Sequence, residues 1–295
     1  MPTVIPDVSI DRLAQTRAER WCLTPDTRIA GPDEAPALIE RAGIATLFPA
    51  SPEVASLYAA FAGPDAPIEA GHSTPTGQVY GWRWVLGRRE VAFYGAIVRG
   101  KPTWVAWPVL PALLHLRGDT RPVDEQVAAG LLSADAHRVA GALASNGGTL
   151  TTGELRRVAG FETGRERRAA YLRAIAELDR RLLLGRGFGP PDAPNDGDMR
   201  QTLVAVRYPE AVAAARAMAA ATAMRHLLTA YLSGAVLIRP SLFARHLGLD
   251  RSAVEAALAT MAREGIVERF RPEGEKQDVY AVTADSESTT PGGSL

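Results

Sequence analysis

The chain has one cysteine, Cys22, in 295 residues, so no intrachain disulfide can form and a thiolate zinc cluster is excluded. Lysine is nearly as scarce: only Lys101 and Lys276 stand among 33 basic residues, the rest being arginine. Net charge is absent too, 33 acids balancing 33 bases, so overall basicity cannot argue for a nucleic-acid partner and local charge must. There is no long uninterrupted apolar run. The most apolar stretch, 211–238, is broken by Arg216, Arg225 and His226 and reads as a packed helix, so no membrane partner is expected. The N-terminus lacks the basic start and apolar core of a secretory signal, and a cytoplasmic, nucleoid-associated protein is expected. Catalytic signatures are missing as well. GxSxG, a Walker motif and HExxH do not occur, and His72, His115, His137, His226 and His246 have no ligand-spaced partner, so neither a metal nor a cofactor is expected.

What remains is an ordinary globular composition, 46% apolar and 22% charged, long enough for two or three cores. The expected fold class is α+β: tandem winged helix-turn-helix domains behind an aromatic-rich α+β N-terminal domain. Residues 1–32 form an N-terminal arm with one helix from Ile10 to Trp21. Residues 33–120 form the small α+β domain, opened by DEAPALIERAG with its early proline and closing Gly43. A Gly/Pro-rich loop spans 62–78. The aromatic and β-branched density from Val79 to Trp107 predicts two or three strands turning at Gly87-Arg88 and Gly100-Lys101.

Residues 130–208 read as the first winged helix. Ser133 caps a helix to Asn146, Thr152 caps a short helix GELRRVAG, a third helix runs from Gly164 to Arg181, and strands at Leu182–Leu184 and TLVAVRY flank a wing GRGFGPPDAPNDGDMRQ. Residues 211–283 repeat the order: a helix from Ala213 to Ser233, a strand VLIR, Pro240-SLFARHLG, a helix capped by Asp250 and stopped by Gly265, and IVERFR paired with DVYAV across PEGEKQ. The tail 284–295 is polar and flexible.

The two third helices place Tyr171, Ile175 and Leu178, and Val254, Leu258 and Met261, on one stripe suited to a core. Their opposite faces differ: Arg165, Ala169, Arg173 and Arg180 in the first, Ser252, Ala256 and Arg263 in the second. Residues 151–189 hold nine arginines against five acids, whereas 225–282 hold eight bases against seven. Double-stranded DNA is therefore the expected partner, met by Arg165, Arg167, Arg168, Arg173, Arg180 and Arg186, with Arg251 and Ser252 as the second module's candidates. The second module is balanced between DNA contact and either a homodimer interface or packing within the chain. Trp82, Trp84, Tyr94 and Trp104 are a candidate base pocket, since aromatic walls hold an unstacked base, although such residues more commonly fill a core.

Three motifs carry a family resemblance over roughly residues 35–208: TLFP at Thr46–Pro49, GWRW at Gly81–Trp84 and FYGAIVRGKPT at Phe93–Thr103. With the winged helix that follows, the chain resembles the AlkZ-related proteins, relatives of the bacterial interstrand-crosslink DNA glycosylases. The resemblance implies several winged helices, a DNA-repair setting and N-glycosidic cleavage of a damaged base by a Gln-x-Gln or Gln-x-Asp motif. That motif is absent: Gln15, Gln78, Gln126, Gln201 and Gln277 are followed two positions on by Arg, Tyr, Ala, Leu and Val. A DNA-binding protein without the family's glycosylase motif is expected. The alternatives are a divergent glycosylase, with Glu69 or Glu90 as substitute acids, and a transcriptional regulator or protein-interaction scaffold.

Overall fold

A computed structural model describes residues 10–189, 199–272 and 277–283. Residues 1–9 of the expected arm, most of the first wing (190–198), part of the second (273–276) and the tail 284–295 lie outside the described residues.

The N-terminal part begins with α1 (Ile10–Arg20) and α2 (Ala35–Ala42). Gly43, at φ 69°, ends α2 in a conformation that glycine adopts freely. Then come β1 (Ile44–Thr46), β2 (Ala55–Ser56) and α3 (Leu57–Ala62), capped by the Ser56 hydroxyl. Next is α4 (Pro75–Arg88), where strands were expected. Local chemistry overrides the aromatic propensity here. The Thr74 hydroxyl accepts the Gly77 N–H, Pro75 starts the first turn, and Val79, Trp82 and Leu86 form a buried stripe at helical spacing. Of the expected strands, only β3 (Phe93–Ala96) and β4 (Pro102–Val105) form, turning at Gly100-Lys101. The sheet runs β2-β1-β4-β3, with Ala45 opposite both Ala55 and Trp104. α5 (Leu110–Arg117) follows.

The first of two similar units has α6 (Val123–Ala128) ahead of it, then α7 (Ala134–Ala144), β5 (Thr149–Thr151), α8 (Thr152–Val158), α9 (Arg165–Arg180), β6 (Leu184–Gly187) and β7 (Arg200–Leu203). Ser133 caps α7. For α8 the cap is Thr151 rather than Thr152, in a reciprocal capping box with Glu154. The run TLVAVRY does not continue as a strand. After Leu203 it closes into α10 (Val204–Arg207), although its alternation is that of a strand.

The second unit is preceded by α11 (Pro209–Ala217) and comprises α12 (Ala220–Ala235), β8 (Leu237–Ile238), α13 (Pro240–Leu247), α14 (Arg251–Arg263), β9 (Val267–Phe270) and β10 (Val279–Val282). The single helix expected from Ala213 to Ser233 breaks at Met218-Ala219. The His115 ring donates to the Ala215 carbonyl at 2.8 Å, taking the acceptor that a continuing helix would give to residue 219. In both units the last strand lies in the middle, β5-β7-β6 and β8-β10-β9, with every pairing antiparallel.

The cores divide differently from the chain order. Val139, Leu143, Leu155, Phe161, Tyr171 and Leu178 make a separate core for the first unit. The second unit shares one core with the N-terminal part, in which Trp21, Leu38, Tyr58 and Trp104 join Leu227, Tyr231, Phe243 and Leu258. Gly234 marks the closest approach: a Cβ there would lie 2.4 Å from the Arg41 carbonyl oxygen, so only glycine lets α12 lie this close to α2. A buried ionic joint closes the same seam. Glu53, fully buried, accepts from Tyr231 Oη at 2.9 Å, from Arg239 N at 3.2 Å and from Arg17 Nη2 at 3.4 Å. Residues 10–22 are therefore built into the body through Arg17, Trp21 and Cys22.

Candidate nucleic-acid interface

Helix α9 presents the clearest charged surface. Gly164, at φ 95°, turns the chain into the helix, and Tyr171, Ala174 and Leu178 face the core. Arg165, Arg167, Arg168, Arg173 and Arg180 are exposed, and none forms an ion pair with a described residue.

The acids of α9 explain why these arginines are left free. Glu177 turns back to accept from the Ser133 backbone N–H at 2.8 Å and hydroxyl at 2.7 Å, where it supports the start of α7. Asp179 is buried and takes both guanidinium nitrogens of Arg186, at 2.9 and 2.7 Å. Glu166 alone stays exposed on the helix without a hydrogen bond to a described residue. Arg186 thus stands apart from the other candidates: it ties β6 to α9 and has no fork left for a phosphate. Beside it, burial pushes the Tyr171 hydroxyl up to about 12, against the pull of Arg186 and Arg156.

The second unit's third helix is built otherwise. Arg251 pairs with Glu255 one turn on, at 2.7 Å, and the Ser252 hydroxyl donates to Asp250, which caps the helix by accepting from Ala253 N. On the adjoining sheet Arg269 and Arg271 both pair with Asp278. Apart from Arg263, which donates to Thr260 Oγ1 at 3.0 Å, the remaining exposed face of α14 is small and largely apolar. Ala253, Ala256, Ala257 and Thr260 line a groove of about 510 Å³ together with Leu116 and Met224.

The four candidate pocket aromatics are buried against protein. Tyr94 stacks on Trp104 with centroids 4.3 Å apart, Trp82 meets the edge of Phe61 at 5.1 Å, and Trp84 lies against Tyr80 at 5.7 Å with the Arg83 guanidinium 3.9 Å from its own ring centre. Burial, opposed by Arg83 and Arg186, raises the Tyr94 hydroxyl to about 12. Their ring faces are taken up by neighbours, so a base would need this packing to open. Tyr80, which sequence reasoning passed over, is the exposed aromatic of the group at 47%.

Of the two substitute acids, Glu69 lies in the exposed loop before α4 and Glu90 is exposed and paired with Arg207. Gln126 is buried, its amide nitrogen donating to the carbonyls of Asp119 and Arg121. No described helix is long and apolar enough to cross a membrane.

A model of the AlkZ-related family matches residues 29–188, more than half of the chain, from the end of the N-terminal loop through β6. The structure is similar to that of Streptomyces sahachiroi DNA glycosylase AlkZ, with a TM-score of 0.58 and 19% identity, covering 96% of this chain and 72% of that one. At that identity the likeness is one of fold. No curated protein matches the sequence.

Proposed function

The chain belongs to the AlkZ-related family, and from that premise we propose that it is a double-stranded DNA-binding protein of DNA repair that grips the duplex with helix α9. The observation that carries this reading is the row of exposed arginines, Arg165, Arg167, Arg168, Arg173 and Arg180, left without carboxylate partners among the described residues. The surrounding order supports it. Helix, strand, helix, helix and hairpin, with the final strand central, is the arrangement of a winged helix-turn-helix, whose third helix can enter a major groove about 12 Å wide. On this reading both units are winged helices.

Electrostatics sets the scale. Each neutralised phosphate contributes about 0.9 to the slope of log affinity against log salt, so five arginines on the backbone give a slope of about −4.5. The second winged helix has its core merged with the N-terminal part and, apart from Arg245 and Arg263, its arginines paired with carboxylates, which leaves its apolar groove for protein contact. A homodimer through that groove is the form such a contact takes most simply, and sedimentation of the full chain decides it.

We assign no base-excision step to the family's motif, because neither Gln-x-Gln nor Gln-x-Asp occurs in the sequence. The site of action on this reading is the nucleoid in the cytoplasm. A second reading, a divergent glycosylase acting on alkylated or crosslinked bases, draws on the family and on the likeness to a DNA glycosylase. Abasic-site formation on such duplexes would establish it. For the principal reading the test is anisotropy of a labelled duplex with Arg165→Ala/Arg173→Ala. Loss of about 1.8 from the salt slope is expected. Unchanged affinity and slope would overturn the assignment to α9, and absence of duplex binding at about 50 mM salt would leave a protein-interaction scaffold instead.

A further inference from the structure

A second basic feature sits outside α9, at the turn joining β3 to β4. The turn is tightly closed: Lys101 N donates to Val98 O at 2.8 Å, and Ile97 N to Lys101 O at 3.1 Å. It carries two consecutive left-handed residues, Arg99 at φ 51° and Gly100 at φ 71°. Glycine suits that conformation. Arginine adopts it less readily, as do Cys22, Glu90, Leu182 and Val236, the other described non-glycine residues with positive φ. The Arg99 guanidinium donates to the Ala50 carbonyl at 3.2 Å, which sets it over a cleft of about 470 Å³ lined by Pro49, Ala50, Ser51, Pro52, Arg99 and Lys101.

The cleft has no acid in its lining, and neither Arg99 nor Lys101 pairs with a described carboxylate. Its floor is fixed. Ser51 Oγ accepts from Glu53 N at 3.0 Å and lies 2.7 Å from His246 Nδ1, and two prolines flank the loop. The turn is also central. Helix α9 and α13, the latter bearing the exposed Arg245, both approach it. A rigid, acid-free cleft with one planar guanidinium and one ammonium fits the phosphate groups of a nucleic-acid backbone.

We propose that this cleft is a second phosphate-binding site for duplex DNA, separate from the arginines of α9. The inference rests on the DNA-binding reading above. The site contributes backbone affinity without sequence preference, since it reaches phosphates and no base edge.

The test uses the full chain, a labelled 20-base-pair duplex and anisotropy from 50 to 300 mM KCl. Arg99→Ala/Lys101→Ala should lower the salt slope by about 1.8 and weaken binding roughly tenfold at 150 mM salt. Arg99→Gly/Lys101→Ala, which also removes the left-handed arginine, should lose the same affinity with no loss of thermal stability, so poor folding of the first variant cannot mimic the result. If both variants keep the wild-type slope while Arg165→Ala/Arg173→Ala loses its share, the cleft is not a DNA site and the reading of α9 stands. If the wild-type chain binds no duplex, both fail. Inorganic phosphate at 10 mM, with KCl adjusted to hold ionic strength, should compete only weakly; equal loss of binding by both double variants in its presence and absence agrees with a backbone site. Abolition of the turn's contribution by phosphate would mark a free-anion site instead and overturn the proposal.

Discussion

Replacing Glu53 by glutamine removes one charge from a site with almost no access to water. The Glu53 carboxylate is fully buried and answers Tyr231 Oη, Arg239 N, Arg239 Nη1 and Arg17 Nη2 within 2.9 to 3.4 Å. Arg17 also donates to the carbonyls of Ala235 at 2.8 Å and Pro52 at 3.2 Å, and to that of Leu237. Those carbonyls satisfy its donors but not its charge. Breaking a buried pair from one side costs about 3–5 kcal/mol, because the remaining ion is left uncompensated. For a shared core of about 200 residues, each kcal/mol moves the melting temperature by roughly 2–4 °C, so a fall of about 10 °C is expected in scanning calorimetry. Arg17→Met/Glu53→Met/Arg239→Met, which removes all three ions of the joint, should recover much of that loss, because apolar replacement of a buried ionic triad is close to neutral. A shift under about 2 °C for Glu53→Gln, or a triple variant as unstable as the sum of the singles, would refute the claim that this triad fastens α1 and the second unit to the N-terminal part.

Arg186→Ala should destabilise the first unit by about 3 kcal/mol through the stranded Asp179, while leaving the DNA salt slope within error of wild type; urea unfolding and anisotropy together separate the two effects. Gly87→Val places a side chain where a Cβ alone would come within 2.1 Å of the Phe188 ring, and a cost of about 1–3 kcal/mol from overpacking is expected, with altered tryptophan emission as Phe188 leaves Tyr94. His246 is held below its ordinary 6.5 by burial first, with Arg245 and Arg99 adding to it. The unfolded chain therefore binds the proton more readily, and stability is full above about pH 6.5 and falls as the pH drops through 6.5 toward the lowered value. His246→Gln should flatten that part of a melting-temperature profile between pH 5 and 7.5.

The sequence was most informative where one residue decides one local event. Ser133, Asp250, Pro240 and Gly43 each mark an observed helix boundary, and the stripes Tyr171/Leu178 and Val254/Leu258/Met261 are buried. It misled where composition and capping disagreed. The aromatics of 75–88 have strand propensity, yet Thr74 and Pro75 start a helix that buries them equally well. The charges on α9 were countable from sequence, but their availability was not. Whether an arginine is free depends on where Glu177 and Asp179 turn, and those partners lie on α7 and β6. The joint around Glu53 was illegible for a plainer reason: Arg17 and Arg239 reach it from 36 and 186 residues away. The merging of the second unit's core with the N-terminal part belongs to the same class, since no local pattern states which apolar faces will meet.

The central claim, that α9 holds duplex DNA by phosphate contact, is tested most directly by the salt dependence of binding in two matched variants. Arg165→Lys/Arg173→Lys keeps both charges and should keep the wild-type slope, whereas Arg165→Ala/Arg173→Ala should lower it by about 1.8. Equal slopes in all three proteins would contradict the account.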